Sequence, residues 1–313
     1  MQTFNAAHGR VLAAPRLTIG LMTPLARQPG APPDLDLECA LARRADELGF
    51  AALWTRDVPL SIPQGSDQEA AVLDDPFLWL GMLASVTRQT ALGTAAAVLP
   101  LRDPLHLAKS ALSLDRMTGG RLVLGLGSGD RAAEFAAFGV DLEARAALFR
   151  ERWDVVRAAL SLHAAQRAPL LAATGGYEVL APAAAIVPML VVGSARQSLQ
   201  WIATHAQGWA TYHREETRQQ GRIGLWRTAV AERAQGRQRA FIQSLGLDLL
   251  DDPLAPAEPI ELGMRGGRIA LVAYLQRLEA AGVAHVLLHP TRGRRPVQDV
   301  IEELGSKVLP VFG

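Results

Sequence analysis

The sequence predicts an α/β chain folded as one (β/α)8 TIM barrel over residues 1–313. Three observations predict it. Eight apolar, strand-like runs alternate with helical patterns along the chain. The runs are almost continuously apolar, as parallel strands covered by helices should be. A length of 313 residues suits one barrel.

In order, the strand-like runs are Leu17–Met22, Phe50–Trp54, Ala91–Leu99, Leu122–Gly127, Met189–Gly193, Trp209–His213, Phe241–Leu249 and Ala284–His289. Helical periodicity fills Leu35–Leu48, Pro76–Thr87, Pro104–Met117, Glu143–Leu162, Ser198–His205, Glu215–Ala234, Arg268–Ala281 and Pro296–Leu304. On the third helix Leu105, Ala108 and Leu112 share a face, which marks it as part of the outer ring. Residues 1–15 are expected to form a flexible arm. Residues 163–187, rich in Ala and Pro, read as an insertion passing over the barrel as a lid. Residues 251–267 (DDPLAPAEPIELGMRGG) read as an irregular loop, because prolines and glycines interrupt any long element. It follows the seventh strand and so belongs to the C-terminal face.

Composition narrows the function classes. Hydrophobic residues at 49% and charged residues at 20% fit a large buried core. A formal charge of +1 and 5% aromatics offer nucleic acid neither a phosphate-holding field nor stacking platforms. Cys39, the single cysteine, excludes an internal disulfide and a cysteine metal cluster. It reads as a small buried residue with no chemistry of its own. No H-x-H pair or His–carboxylate cluster falls at the strand ends, so no metal is expected. Residues 1–16 lack the build of a signal peptide, and the apolar run 181–193 is too short to span a bilayer. A cytoplasmic chain with no membrane partner is therefore expected.

Gly125–Asp130 (GLGSGD) spaces its glycines as G-x-G-x-G, not the G-x-G-x-x-G of a dinucleotide fold, and residues 135–141 read as loop rather than helix. What remains is a strand end of small residues, open either to a flat ligand or merely to a tight turn.

Several stretches in register carry a more specific signal. ALGTAAAVLPLRDPLHLAK (91–109), LDRMTGGRLVLGLGSG (114–129), EFAAFGVD with Arg145 beyond it, PMLVVGSARQSLQW (188–201) and AQGWA (206–210) together resemble the luciferase-like flavin oxidoreductases. The resemblance implies a non-proline cis peptide at Ala95-Ala96 beneath a flavin ring. It also implies an FMN phosphate held by Arg145 and by Gly193, Ser194 and Ala195. A guanidinium can grip phosphate bidentately, and Ser198 would also cap the next helix. Ser128 stands where luciferase has a phosphate-binding arginine. Val58 stands where it has a catalytic histidine, which argues against light production.

From the residues alone, Arg56, Asp57 and His213 end strands and should face the barrel mouth, as catalytic candidates. An ion pair of purely structural purpose is the competing reading for Arg56. His289 ends the eighth strand and is followed by Arg292, Arg294 and Arg295, a basic loop suited to an acidic ligand or to plain solvation. The expected activity is monooxygenation of a small-molecule substrate using reduced FMN. A separate flavin reductase or NAD(P)H would supply the electrons. F420-dependent hydride transfer and a non-catalytic flavin-binding barrel are the alternatives, and a homodimer is the expected assembly.

Overall fold

In the computed structural model, which describes residues 3–27, 31–61, 72–180 and 184–313, strands and helices alternate around a closed ring. The strands are β1 (Thr18–Met22), β2 (Ala52–Thr55), β3 (Ala91–Thr94), β4 (Leu122–Gly127), β5 (Met189–Val192), β6 (Gly208–Tyr212), β7 (Ala240–Leu249) and β8 (His285–His289). Each pairs in parallel with the next, and β8 returns to β1 with His285 opposite Thr18. The intervening helices are α1 (Leu35–Leu48), α2 (Pro76–Val86), α3 (Pro104–Thr118), α4 (Arg145–Ala159), α5 (Leu199–His205), α6 (Glu216–Arg233), α7 (Arg268–Ala280) and α8 (Val297–Glu303). This is the (β/α)8 barrel the sequence predicts.

Local chemistry sets the helix ends. Asp34, Asp75 and Asp103 each accept hydrogen bonds from backbone amides of the first turns of α1, α2 and α3, and proline opens the latter two. Gly49 and Gly119 end α1 and α3 in the left-handed region, at φ +91° and +68°. Among the described residues no helix is long and apolar enough to cross a membrane.

Strand alternation divides the core into two layers. Leu21, Leu53, Leu92, Leu124, Val191, Trp209, Phe241 and Val286 point outward beneath the helices. Met22, Trp54, Val123, Leu190, Ala210, Ile242 and Leu287 point inward. Inside the barrel, the Trp54 indole donates to Nε2 of the fully buried His285 at 3.0 Å, and His285 Nδ1 lies 2.8 Å from the Thr18 hydroxyl. Indole can only donate, so Nε2 accepts and Nδ1 carries the proton. Burial pushes the His285 pKa down to about 3, and this histidine is neutral.

The chain start departs from the expected flexible arm. Phe4 pairs with Ile186, and Asn5 donates to Asp115 at 2.7 Å and to the Leu122 carbonyl at 2.8 Å. Ala7, Val11 and Leu12 are buried with the inward layer, so residues 4–12 plug the N-terminal end of the barrel. The small inward residues Ala52, Ala91, Ala210 and Ala240 leave the room they fill.

The stretch 163–187, of which 181–183 lie outside the described residues, also departs from expectation. It contains a helix, Ala164–Ala173, that tolerates Pro169. It joins the end of α4 to the start of β5, both at the plugged end, so it cannot act as a lid over the opposite mouth. Residues 251–267 do lie at the C-terminal face, but they hold a small antiparallel hairpin, Glu258–Ile260 with Gly263–Gly266. Its second strand pairs with the upper half of β7, while β8 pairs with the lower half, which raises the barrel wall on that side. A short helix, Ala132–Ala137, follows the glycine-rich strand end in the stretch expected to continue as loop.

The first connection of the mouth, residues 23–26 after β1, is held from below by a buried carboxylate. Glu38 on α1 accepts from Leu25 N at 2.6 Å and Ala26 N at 2.7 Å through one oxygen, while its other oxygen is buried without a partner. Burial outweighs those bonds and the nearby Arg27, and lifts the Glu38 pKa from 4.5 to about 7. The folded state therefore holds this proton to higher pH than the unfolded chain does. The stability it contributes is complete below about pH 4.5 and is lost as pH rises through 7, a change of about 3 kcal/mol at 1.36 kcal/mol per pKa unit. Glu38→Gln keeps an acceptor and has no proton to lose, so its stability should not share this decline. Urea midpoints of both proteins at pH 5 and pH 8 test this, and parallel changes in the two would refute it.

Candidate active site

The C-terminal mouth is lined by residues that continue the inward alternation: Met22, Arg56, Ala95, Val192, Tyr212, Ser244 and His289. Ala95-Ala96 is a cis peptide, as the resemblance implies. These two residues are partly exposed within a stretch, 91–101, that is otherwise buried. They form a flat seat without bulky side chains. The chain is fixed around them by Ala95 N donating to Thr55 O at 2.7 Å and Asp57 N donating to Ala96 O at 3.2 Å.

Asp57, expected as a catalytic group, performs a structural task. Its carboxylate is buried and takes both Nε and Nη2 of Arg102, at 2.6 and 2.8 Å, and also Val98 N at 2.9 Å. Both oxygens are committed, and Arg102 reaches on to Asp75 at 2.8 Å. The two carboxylates raise the guanidinium pKa against the opposing effect of its burial.

His213, also expected at the mouth, points the other way. On β6 Trp209 faces outward and Ala210 inward, so alternation sends Tyr212 to the mouth and His213 outward. Its Nδ1 lies 3.0 Å from the Tyr274 hydroxyl and 3.2 Å from Gln243 Nε2, and these two are 2.8 Å apart. Burial, with Arg214 nearby, lowers the His213 pKa. His213 and Tyr274 line a cavity of about 550 Å³ between the hairpin, the start of α6 and α7, outside the barrel interior. Tyr212, which the sequence reading passed over, is 54% exposed at the rim. Trp209 on the outward face was the signal that could have assigned both.

The glycines of GLGSGD have a partner other than a ligand. A Cβ on Gly125 would lie 2.0 Å from the Thr94 carbonyl oxygen, and one on Gly127 would lie 3.1 Å from Ala96 Cβ. The Thr94 hydroxyl donates to Gly125 O at 2.7 Å and accepts from Gly125 N at 3.0 Å. Gly125 thus admits the chain of β3 itself. Ser128 is largely buried, its hydroxyl 3.5 Å from Gly129 O.

Arg145 opens α4 and is buried, with its guanidinium on the Leu142 carbonyl and Glu143 at 3.5 Å. The loop after β5 carries left-handed backbone at Gly193, Ala195 and Arg196. Gln197 ties that loop to α4, donating to Ala146 O at 3.0 Å and accepting from Arg150. Trp209 donates to Gly193 O at 2.7 Å from the other side. Gln197 therefore joins the loop bearing Ser194 to the first turn of the helix that Arg145 begins. Ser194 is exposed and accepts from Arg196 N at 3.2 Å, and Ser198 caps α5 through Trp201 N.

The basic loop after β8 divides in its roles. Arg295 pairs with Asp251 and Glu303, each at 2.8 Å. Arg294 lines a cavity of about 530 Å³ in which Asp248, Asp251 and Glu258 balance Arg265, Arg294 and Arg295. Arg292 extends over Gly246 of β7, where a Cβ would meet its Cγ at 3.6 Å.

Residues 16–246 match the family model of luciferase-like monooxygenases, and the chain belongs to that family. Among curated relatives, 4-hydroxyprotoasukamycin monooxygenase of Streptomyces nodosus subsp. asukaensis is 33% identical over 120 residues, which are 38% of this chain and 29% of that protein. An uncharacterized protein of Mycobacterium bovis is 32% identical over 190 residues, 56% of this chain and 67% of its own length. Among solved structures, the monooxygenase RslO1 of Streptomyces bottropensis superposes with a TM-score of 0.72 at 18% identity, covering 94% of this chain and 99% of that one. An F420-dependent secondary alcohol dehydrogenase superposes at 0.74 with 14% identity, covering 95% and 100%. These structures share the fold. Other solved structures that superpose are a coenzyme F420-dependent tetrahydromethanopterin reductase of Methanopyrus kandleri and a riboflavin lyase with modified FMN and riboflavin.

Proposed function

We propose that this protein is a monooxygenase that uses reduced FMN to oxygenate a small organic substrate, with the reduced flavin supplied by a separate reductase or by NAD(P)H. The observation that carries this reading is the Ala95-Ala96 seat, partly exposed at the barrel mouth between buried stretches of chain. A flat ring system requires such a surface, free of bulky side chains. Reduced flavin bound there would supply the two electrons that activate dioxygen.

The chain's own residues would bind, orient and exclude water. Arg145 and the loop Gly193–Ala195, joined through Gln197, would hold the phosphate end. Met22, Val192 and Ala95 give the mouth an apolar floor, and the raised wall beside β7 shields one side from solvent. Similarity over 120 residues to a monooxygenase supports oxygenation.

Fluorescence titration with oxidised FMN, reduced FMN and F420, together with oxygen uptake, tests the reading. Tight binding of FMN is expected. Arg145→Ala should weaken it roughly 10- to 100-fold, the value of one charge-assisted contact. Tight binding of F420 with indifference to FMN would replace oxygenation by hydride transfer. FMN binding without turnover across a broad substrate panel would mark a binding barrel.

A further inference from the structure

We infer that His289 is the proton-carrying residue at the barrel mouth, an assignment that rests on the flavin reading above. The chain has seven histidines, and the fold disposes of six. His8 lies in the plug at the opposite end, stacked on Phe4. His106 is exposed on the outer ring in the first turn of α3. His163 precedes the helix at the plugged end, and His205 ends α5 with its ring on Trp201 O. His213 faces outward to Tyr274 and Gln243. His285 is sealed inside with both ring nitrogens engaged. Only His289 remains for the mouth.

Strand geometry directs it there. His285 and Leu287 both point into the barrel, and the next inward position on β8 is His289, partly exposed at the rim. Its neighbour in register on β7 is Gly246, which has no side chain to cover the imidazole. The stem of Arg292 overhangs Gly246.

By the same alternation Arg56, Tyr212 and Asp248 also turn inward at the strand ends, and the buried Asp248 carboxylate is held by Arg265 at 2.6 Å. A guanidinium keeps its proton and a phenol gives one up only in strongly basic solution, whereas an imidazole can both give and take a proton. Asp57 is enclosed by Arg102, and position 58, where luciferase has its catalytic histidine, is valine. The net reaction is substrate plus dioxygen plus reduced flavin, giving hydroxylated substrate, water and oxidised flavin. The oxygen atom that leaves as water must receive protons at the mouth. The imidazole N–H of His289 gives one up as the new O–H bond forms, and the ring is reprotonated from solvent at the rim.

The test needs no known substrate. Long-range 1H–15N spectra of protein labelled at its histidine rings are recorded with and without oxidised FMN, and binding is followed separately by quenching of FMN fluorescence. His289→Gln assigns the signal. The His289 ring resonances are expected to shift on saturation while those of His8, His163, His205 and His213 stay in place. His289→Gln should bind FMN within about threefold of the parent affinity, and its reoxidation of bound reduced FMN should lose the limb of the pH profile that the parent shows through the imidazole range. FMN binding that leaves the His289 signal unmoved, or a parent-like pH profile in His289→Gln, overturns the assignment. Absence of FMN binding overturns the flavin reading itself.

Discussion

Asp57→Ala is expected to destabilise the fold by about 3–5 kcal/mol, the usual consequence of removing one partner from a buried charge pair. Its carboxylate joins three parts of the mouth, accepting twice from Arg102 and once from Val98 N while its own amide bonds to Ala96 O. Without it, Arg102 keeps Asp75 as its carboxylate partner among the described residues, and the backbone amide of Val98 loses its acceptor in a buried setting. Urea unfolding should show a lower midpoint at unchanged slope. A loss under about 1 kcal/mol would mean that solvent replaces the carboxylate and that the pair is not a structural tie. Asp57→Asn should fall between, since it preserves an acceptor for Val98 N but not the charge.

Gly125→Ala should cost about 3 kcal/mol or more, through overpacking rather than loss of a contact. The added methyl would stand 2.0 Å from the Thr94 carbonyl oxygen, and that oxygen is backbone, with no rotamer available for relief. β3 would have to move, taking with it the Ala95-Ala96 seat, so FMN affinity should fall together with stability. Gly81→Ala on α2 is the control: nothing lies within 4 Å of its would-be Cβ. In a helix interior this change should stabilise by roughly 0.5–1 kcal/mol. A Gly125→Ala protein with parent-like melting and FMN binding would contradict the close approach of β3 and β4.

The barrel was legible because its signal repeats. Eight apolar runs, each followed by helical periodicity, correspond to the eight strands of the ring. What escaped depends on contacts remote in sequence. Nothing near Asp57 announces Arg102, 45 residues away. Residues 4–12 mix Ala, Val and Leu with His, Gly and Arg, and only the space left by small inward residues shows that they belong inside. The error at His213 was avoidable. Trp209, Thr211 and His213 lie on one side of β6, and a tryptophan there marks the side beneath the helices. The Ala95-Ala96 bond came from the resemblance and not from local propensity, since ALGTAAAVL reads as an unbroken strand.

The joint between β1 and β8 has a kinetic consequence. Thr18 and His285, 267 residues apart, meet there through a side-chain hydrogen bond as well as the backbone ladder. Closing so long a loop is entropically slow, and barrels dominated by such distant pairings fold slowly. Until that joint forms, β1 offers an unsatisfied strand edge to any neighbouring chain. Substitutions that loosen the Thr18–His285–Trp54 contacts should therefore reveal themselves first as aggregation during refolding, before equilibrium stability falls far.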